Sequence, residues 1–216
     1  MSSAAPNTRV RRLADRAGYE RATVDAILDA AYVAHVGAIV DGLPVVIPYA
    51  CARAGDELVL HGSVKAGTLS LIASGAPVCA TVTHLDGIVF ARSAFHSSMN
   101  YRSVVVQGAA RVVGDRAEKR QLFDAFVDSM MPGRRALMRA PTDGELDATH
   151  VVALALDAVS AKVRAGGPQD APGDLRAGLW GGVIPLSLTA GTPEPDETTA
   201  ANVAPPALRN SSGNQQ

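Results

Sequence analysis

The chain has little that would commit it to a nucleic acid, an extracellular space or a membrane. Its 20 basic and 21 acidic side chains leave a formal net charge of −1, so no cationic excess exists to drive phosphate-backbone binding. Aromatic residues make up 4% of the chain, too few for platforms that stack single-stranded bases. Cysteine occurs twice, as Cys51 and Cys79, in apolar strand-like settings with no CxxC and no zinc-like spacing. Both read as small buried side chains of a reducing compartment, with a disulfide as the alternative. No apolar run approaches the ~18 residues of a membrane span. The stretch MSSAAPNTRVRRLADRAG lacks the apolar h-region of a secretory signal. A soluble cytoplasmic protein with no nucleic-acid or membrane partner is the expectation.

Common catalytic signatures are missing too. There is no GxGxxG and no P-loop, which disfavours dinucleotide and nucleoside-triphosphate folds, and no GxSxG elbow. His35, His61, His84, His96 and His150 fall in different elements without HxxxH or HxH spacing. They read as hydrogen-bonded or exposed imidazoles, and no metal site is expected.

What is present is an apolar body. Apolar residues are 47% and charged residues 19% of 216, which suits a globular domain. Residues 8–31 carry two helical signals: a short basic one, RVRRLADRA, stopped by Gly18, and a longer one with Val24, Ile27, Leu28 and Ala31 on one face. Residues 33–113 change to β texture. HVGAIV and LPVVIPYACAR flank Asp41-Gly42, a hairpin signal; ELVLHG follows. After a short helix near residues 66–74, APVCATVTHL and GIVFARSAF flank Asp86-Gly87, which predicts a second hairpin turn. YRSVVVQGAARVVG is the sixth and longest strand. Asp115 then caps a helix with Leu122, Phe123, Phe126, Val127 and Met130 on one face. Residues 134–148 form a connection with room for a short helix, and THVVALALDAVSAKVR reads as a final strand. LWGGVIPLSL is a short apolar segment whose Trp180 reads as a packing anchor. The boundaries predicted are a flexible N-terminus (1–8), one folded domain (9–188) and a disordered tail (189–216) rich in Pro, Thr, Ala, Asn and Ser. Hairpin-linked strands without alternating βα units point to an antiparallel barrel, mainly β with flanking helices.

Two stretches carry candidate chemistry. In HGSVKAG (61–67), a strand ends and a helix begins. Helix N-termini attract anions; Ser63 offers a hydroxyl, Lys65 a charge, and Gly62 close backbone approach. The alternative is a capped turn with a solvated lysine. In FHSSMNYRSVVVQG (95–108), His96, Ser97, Ser98, Asn100, Tyr101, Arg102 and Ser103 precede an apolar strand. Arg102 can clamp a phosphate or carboxylate; the alternative is a solvated loop.

Taken together, HVGAIVDGLPVVIPYACA, ELVLHGSVKAG, PVCATVTHLDG, FHSSMNYRSVVVQGAARVV and LWGGVIPL resemble the pyridoxamine 5′-phosphate oxidase-related flavin-binding proteins, nearest the nitroimidazole-resistance-like branch. The resemblance covers about residues 9–188. It implies an FMN-binding split β-barrel, a homodimer with the flavin at the subunit interface. Carried over, the strand around Val46, Ile47 and Pro48 would run along the isoalloxazine. His61, Gly62, Ser63 and Lys65 would lie near the ribityl phosphate. Tyr101, Arg102 and Ser103 would approach from the later loop, from the same or the neighbouring subunit. Pro44, Val45, Val46 and Ile47 stand where the oxidase proper carries basic side chains, so oxidation of pyridoxamine phosphate is not expected. The flavin could be replaced by the deazaflavin F420 or by haem, both used by relatives.

The resemblance implies an FMN-dependent oxidoreductase that passes electrons from a reduced nicotinamide to a small acceptor such as a nitro compound. The alternatives are a flavin carrier or sensor without turnover, and a haem-binding relative. No catalytic acid or base is identified; His61 and His96 are the candidate proton donors.

Overall fold

A computed structural model describes residues 8–176, 178–200, 202–206 and 208. The predicted flexible N-terminus therefore lies outside the described residues except for Thr8, and so does much of the predicted tail beyond residue 200. Described residues from 189 onward are exposed and form no helix or strand.

The expected class holds: one antiparallel sheet with flanking helices. Its elements in chain order are β1 (Ala17–Gly18), α1 (Arg21–Asp29), β2 (Val33–Val40), β3 (Leu43–Ala54), β4 (Glu57–Ser63), α2 (Gly67–Ala73), β5 (Pro77–Phe90), β6 (Ser98–Ala109), β7 (Arg111–Val112), α3 (Arg116–Met130), α4 (Asp143–Asp147), β8 (Thr149–Ala155), β9 (Val159–Arg164) and β10 (Gly182–Pro185). The strands follow the order β1-β9-β6-β5-β2-β3-β4-β8-β7, and β10 adds to β5 outside that path. Among the described residues the two ends of the path are not paired with each other, so the sheet curls without a continuous ladder around it.

Local chemistry sets several of these elements. Asp41 and Gly42 both take positive φ, 50° and 80°, as a two-residue hairpin between right-twisted strands requires. Asp115 accepts from the Glu118 amide at 2.8 Å and starts α3. Thr142 and Glu145 form a reciprocal capping box that makes α4 a helix despite its five residues.

The main core lies inside the curled sheet. Leu28 of α1, Leu58 and Leu60 of β4, and Leu69 and Ile72 of α2 are all buried there, each contributing ~1.5–3 kcal/mol by burial. A smaller cluster of Val59, Val113, Val151 and Ala153 sits on the other face of the sheet, packed on by Leu122 and Phe123 of α3.

Five expectations are corrected. RVRRLADRA is not a helix: Leu13 adopts a left-handed φ of 55°, only Ala14–Arg16 make a 3-10 turn, and β1 pairs with β9; sheet pairing overrides a weak propensity. The helix after it ends at Asp29, leaving Ala31 buried just beyond it. Asp86-Gly87 is not a turn: β5 runs through it with a bulge between Leu85 and Gly87. The final strand is two, β8 on β4 and β9 on β6, separated around Asp157. Much of the polar stretch from Ser98 is strand rather than loop.

Candidate cofactor cavity

The site begins with a change of partner along β5. Its early residues Cys79, Ala80 and Thr81 pair with Gly37, Val36 and His35 of β2. Its last residues, Gly87 to Phe90, pair with Pro185 to Gly182 of β10. Between them, Val82 to Asp86 have no strand on that edge. A cavity of about 660 Å³ opens there, lined by the chain entering β2, by Val82–Asp86, by Arg102, and by Pro185–Leu188 beyond β10. This volume falls in the range of small-molecule and cofactor pockets, roughly 300–1,000 Å³.

Asp86 is the extra residue of the bulge, since Leu85 registers with Tyr101 and Gly87 with Asn100. A bulge re-aims its side chain, and here the carboxylate meets Arg102. Arg102 donates from Nε to Oδ2 at 3.0 Å and from Nη2 to Oδ1 at 2.8 Å. The hydrogen bond to Asp86 raises the guanidinium's pKa further, so it stays charged. Nη1 is the guanidinium nitrogen that this fork leaves over. The Asp86 carbonyl also accepts from the Leu186 amide at 3.0 Å, so one residue ties both Arg102 and the C-terminal strap.

His84 registers opposite Arg102 and places Nε2 2.9 Å from the Ile27 carbonyl at the end of α1. A carbonyl only accepts, so Nε2 carries a proton. His35 lines the same cavity. It stands on the outward face of β2, because Ala34, Val36 and Ala38 are the residues that point into the core.

The predicted site residues divide. Arg102 lines the cavity. Val46 and Pro48 are exposed on the outward face of β3, Pro48 directly across from His35, while Ile47 alternates toward the inside. Tyr101 and Ser103 lie on the other face of β6 from Arg102; Ser103 donates to the Lys162 carbonyl at 3.3 Å.

His61, Gly62, Ser63 and Lys65 lie elsewhere, at the end of β4. Ser63 accepts from the Lys65 amide at 3.2 Å. A Cβ on Gly62 would come within 2.9 Å of Leu69 Cδ2. In this protomer HGSVKAG is thus a closed turn packed on its own helix. His61 faces α3, with ring centroids 4.4 Å from Phe126 and 5.1 Å from Phe123. Burial holds its pKa below the ordinary value, so it is neutral near pH 7. This end of β4 backs onto a second cavity of about 890 Å³ that Phe123 and Thr149 line, Thr149 registering opposite Ser63. His96 is held away from both cavities, its Nδ1 2.9 Å from Ser93 Oγ.

Asp86, His84, His35 and the strap were not singled out from sequence. Asp-Gly is a strong turn signal, and nothing local distinguishes it from a bulge that receives a second strand. The apolar strap was noted as a segment but not placed.

Comparison with known proteins agrees with this architecture. The family model for pyridoxamine 5′-phosphate oxidase matches residues 20–163. No curated protein matches the chain. Among solved structures, the flavocytochrome Anf3 from Azotobacter vinelandii is 38% identical, with 92% of each chain covered and a TM-score of 0.86. The FAD and haem binding protein from Mycobacterium smegmatis is 41% identical, over 91% of this chain and 95% of that one, with a TM-score of 0.84. A protein from Bacteroides thetaiotaomicron assigned to 5-nitroimidazole antibiotic resistance shares the fold at 20% identity, over 68% of this chain and 86% of that one, with a TM-score of 0.58. The chain belongs to the pyridoxamine 5′-phosphate oxidase family.

Proposed function

We propose that this protein is a flavin-binding redox protein that also carries haem. The observation that carries this reading is a likeness of 38% and 41% identity, over more than nine-tenths of the chain, to two proteins described as a flavocytochrome and as an FAD and haem binding protein. The cavity chemistry fits. Apolar Val82, Leu85, Leu186 and Leu188 wall it, Thr83 and Arg102 supply donors, and His35 and His84 supply imidazoles. A bound flavin accepts a hydride and releases electrons, and a haem iron handles them singly.

In this proposal the chain's own residues bind and orient. Arg102 keeps a compensated positive charge at the cavity, with Asp86 fixing its plane. The strap Pro185–Leu188 covers one side and limits water. FAD replaces the FMN expected from sequence, because the 41% identical relative is described as binding FAD. The electron path runs from a reduced nicotinamide to a small acceptor. The outward face of β3 is Pro44, Val46 and Pro48, with no cation for a pyridoxamine phosphate.

We also propose a homodimer. Ile39, Leu43 and Val46 are 60%, 68% and 62% exposed on β2 and β3, an apolar surface suited to a second copy.

The test is the absorption spectrum of the purified protein, with mass analysis of what it releases on denaturation. Flavin bands, a Soret band and a released mass matching FAD are expected. Released FMN or deazaflavin would correct the cofactor. A colourless protein that binds neither flavin nor haem on incubation would overturn the reading. Light scattering at micromolar concentration is expected to give twice the chain mass.

A further inference from the structure

We propose that His35 is the side chain that binds the haem iron. The inference rests on the haem half of the reading above. Haem iron takes an imidazole nitrogen that is unprotonated and has open space before it. The surface beside it must be apolar enough to receive a porphyrin face.

Three of the five histidines lack that setting. His61 is enclosed by Phe123 and Phe126 under α3. His96 is bonded through Nδ1 to Ser93 and lies 5.1 Å from the Phe95 ring. His150 registers opposite Gly62 at the far end of β8. None of them lines the cavity at the β5 gap; His35 and His84 do.

Between these two the chemistry separates. His84 spends Nε2 on the Ile27 carbonyl. Its remaining nitrogen, Nδ1, adjoins its own Cβ and so lies nearer the β5 backbone than an Nε2 would. The His35 side chain has no hydrogen-bond or ion-pair partner among the described residues, so its Nε2 is available. Its surroundings are apolar on the same outward face. Val33 and Ile39 flank it along β2, 44% and 60% exposed, and Val46 is 62% exposed on β3. Pro48 sits directly across the ladder. The aliphatic side chains exposed around the imidazole belong to the surface proposed above for a second copy, so a planar apolar ligand held by His35 would lie against that interface. The sequence pointed to His61 and His96 for proton transfer; the fold makes His35 the imidazole with reach.

The experiment titrates hemin into the full-length protein and into His35→Ala, His35→Gly, His61→Ala and His96→Ala. Soret absorption and electron paramagnetic resonance read the iron's ligation, and far-ultraviolet circular dichroism reads the fold. The wild type, His61→Ala and His96→Ala are expected to share one spectrum. His35→Ala is expected to weaken haem binding beyond the roughly 10–100-fold that losing an outer partner costs, with the circular dichroism of the folded chain unchanged. Added imidazole is expected to restore the iron spectrum of His35→Gly, which a merely structural role would not allow. A wild-type spectrum in His35→Ala, or failure of imidazole to restore His35→Gly, would overturn the assignment and leave the haem reading standing. A wild type that holds flavin but takes no hemin would overturn the haem reading and the assignment together.

Discussion

Arg102 and Asp86 form a two-point fork across the β5–β6 ladder, with contacts of 3.0 and 2.8 Å, and they do so because Asp86 is the unpaired residue of a bulge. Both side chains are about one-third exposed, so the pair is worth only about 1–2 kcal/mol to the fold. Its larger role is to hold a guanidinium plane at the cavity. Arg102→Ala is expected to lower flavin affinity about tenfold or more, and Arg102→Lys to rescue little, because an ammonium cannot bond Asp86 at two points while presenting a third donor. Flavin retained after gel filtration measures this. Equal retention in wild type and Arg102→Ala would remove Arg102 from the site.

The strap depends on a glycine. A Cβ on Gly87 would lie 3.0 Å from the Ile184 carbonyl oxygen and 3.0 Å from Val183 Cγ1, and a backbone atom of a paired strand cannot step aside cheaply. Gly87→Val is expected to release β10. Trp180, the only tryptophan, lies 5.6 Å from the Phe90 ring beside this pairing, so its fluorescence should shift to the red. Hydrogen exchange at the Leu186 amide should quicken together with it. Unchanged emission and exchange would show that the strap is held by contacts other than the β5 ladder.

Gly62 tests what the HGSVKAG turn is for. Gly62→Ala should cost about 1–3 kcal/mol through overpacking against Leu69, and Leu69→Val should cost less in the Gly62→Ala background than alone. Additive effects in thermal or denaturant unfolding would mean that Leu69 moves aside freely, and close packing would no longer explain the glycine.

Much of this arrangement could be read from residues, and the parts that could not share a cause. Hairpins with local chemistry were legible: Asp41-Gly42 supplies its own positive φ, and Asp115 and the face around Phe126 specify α3. The Asp86-Gly87 pair carried the same local signal and meant something else, because its conformation is set by a strand arriving almost a hundred residues later. The candidate site shows the same divide. Arg102 was found from its neighbours in sequence. His35 and His84 were dismissed because their spacing said nothing, and only the register of β2, β5 and β6 brings them to one gap. Ser63 was read as a ligand donor, and in the fold its oxygen accepts from the Lys65 amide within a local turn.

The buried imidazole of His61 makes stability depend on pH in a stated direction. Desolvation between Phe123 and Phe126 disfavours its charged form, so its pKa is depressed in the folded chain. The unfolded chain has an ordinary histidine, which takes up a proton near pH 6.5. Below that pH the unfolded state therefore binds more protons, and stability falls as pH falls. The loss begins near the unfolded value and is complete once the pH drops below the folded one. His61→Phe keeps a ring among the phenylalanines and removes the proton. It is expected to flatten the slope of unfolding free energy between about pH 7 and pH 5, compared with wild type, while changing stability little near pH 8. Parallel slopes for the two proteins, measured by urea unfolding across that range, would mean that His61 reaches solvent and titrates normally. α3 would then be a loose cover over β4, and the second cavity beside it would be open to water down to the sheet.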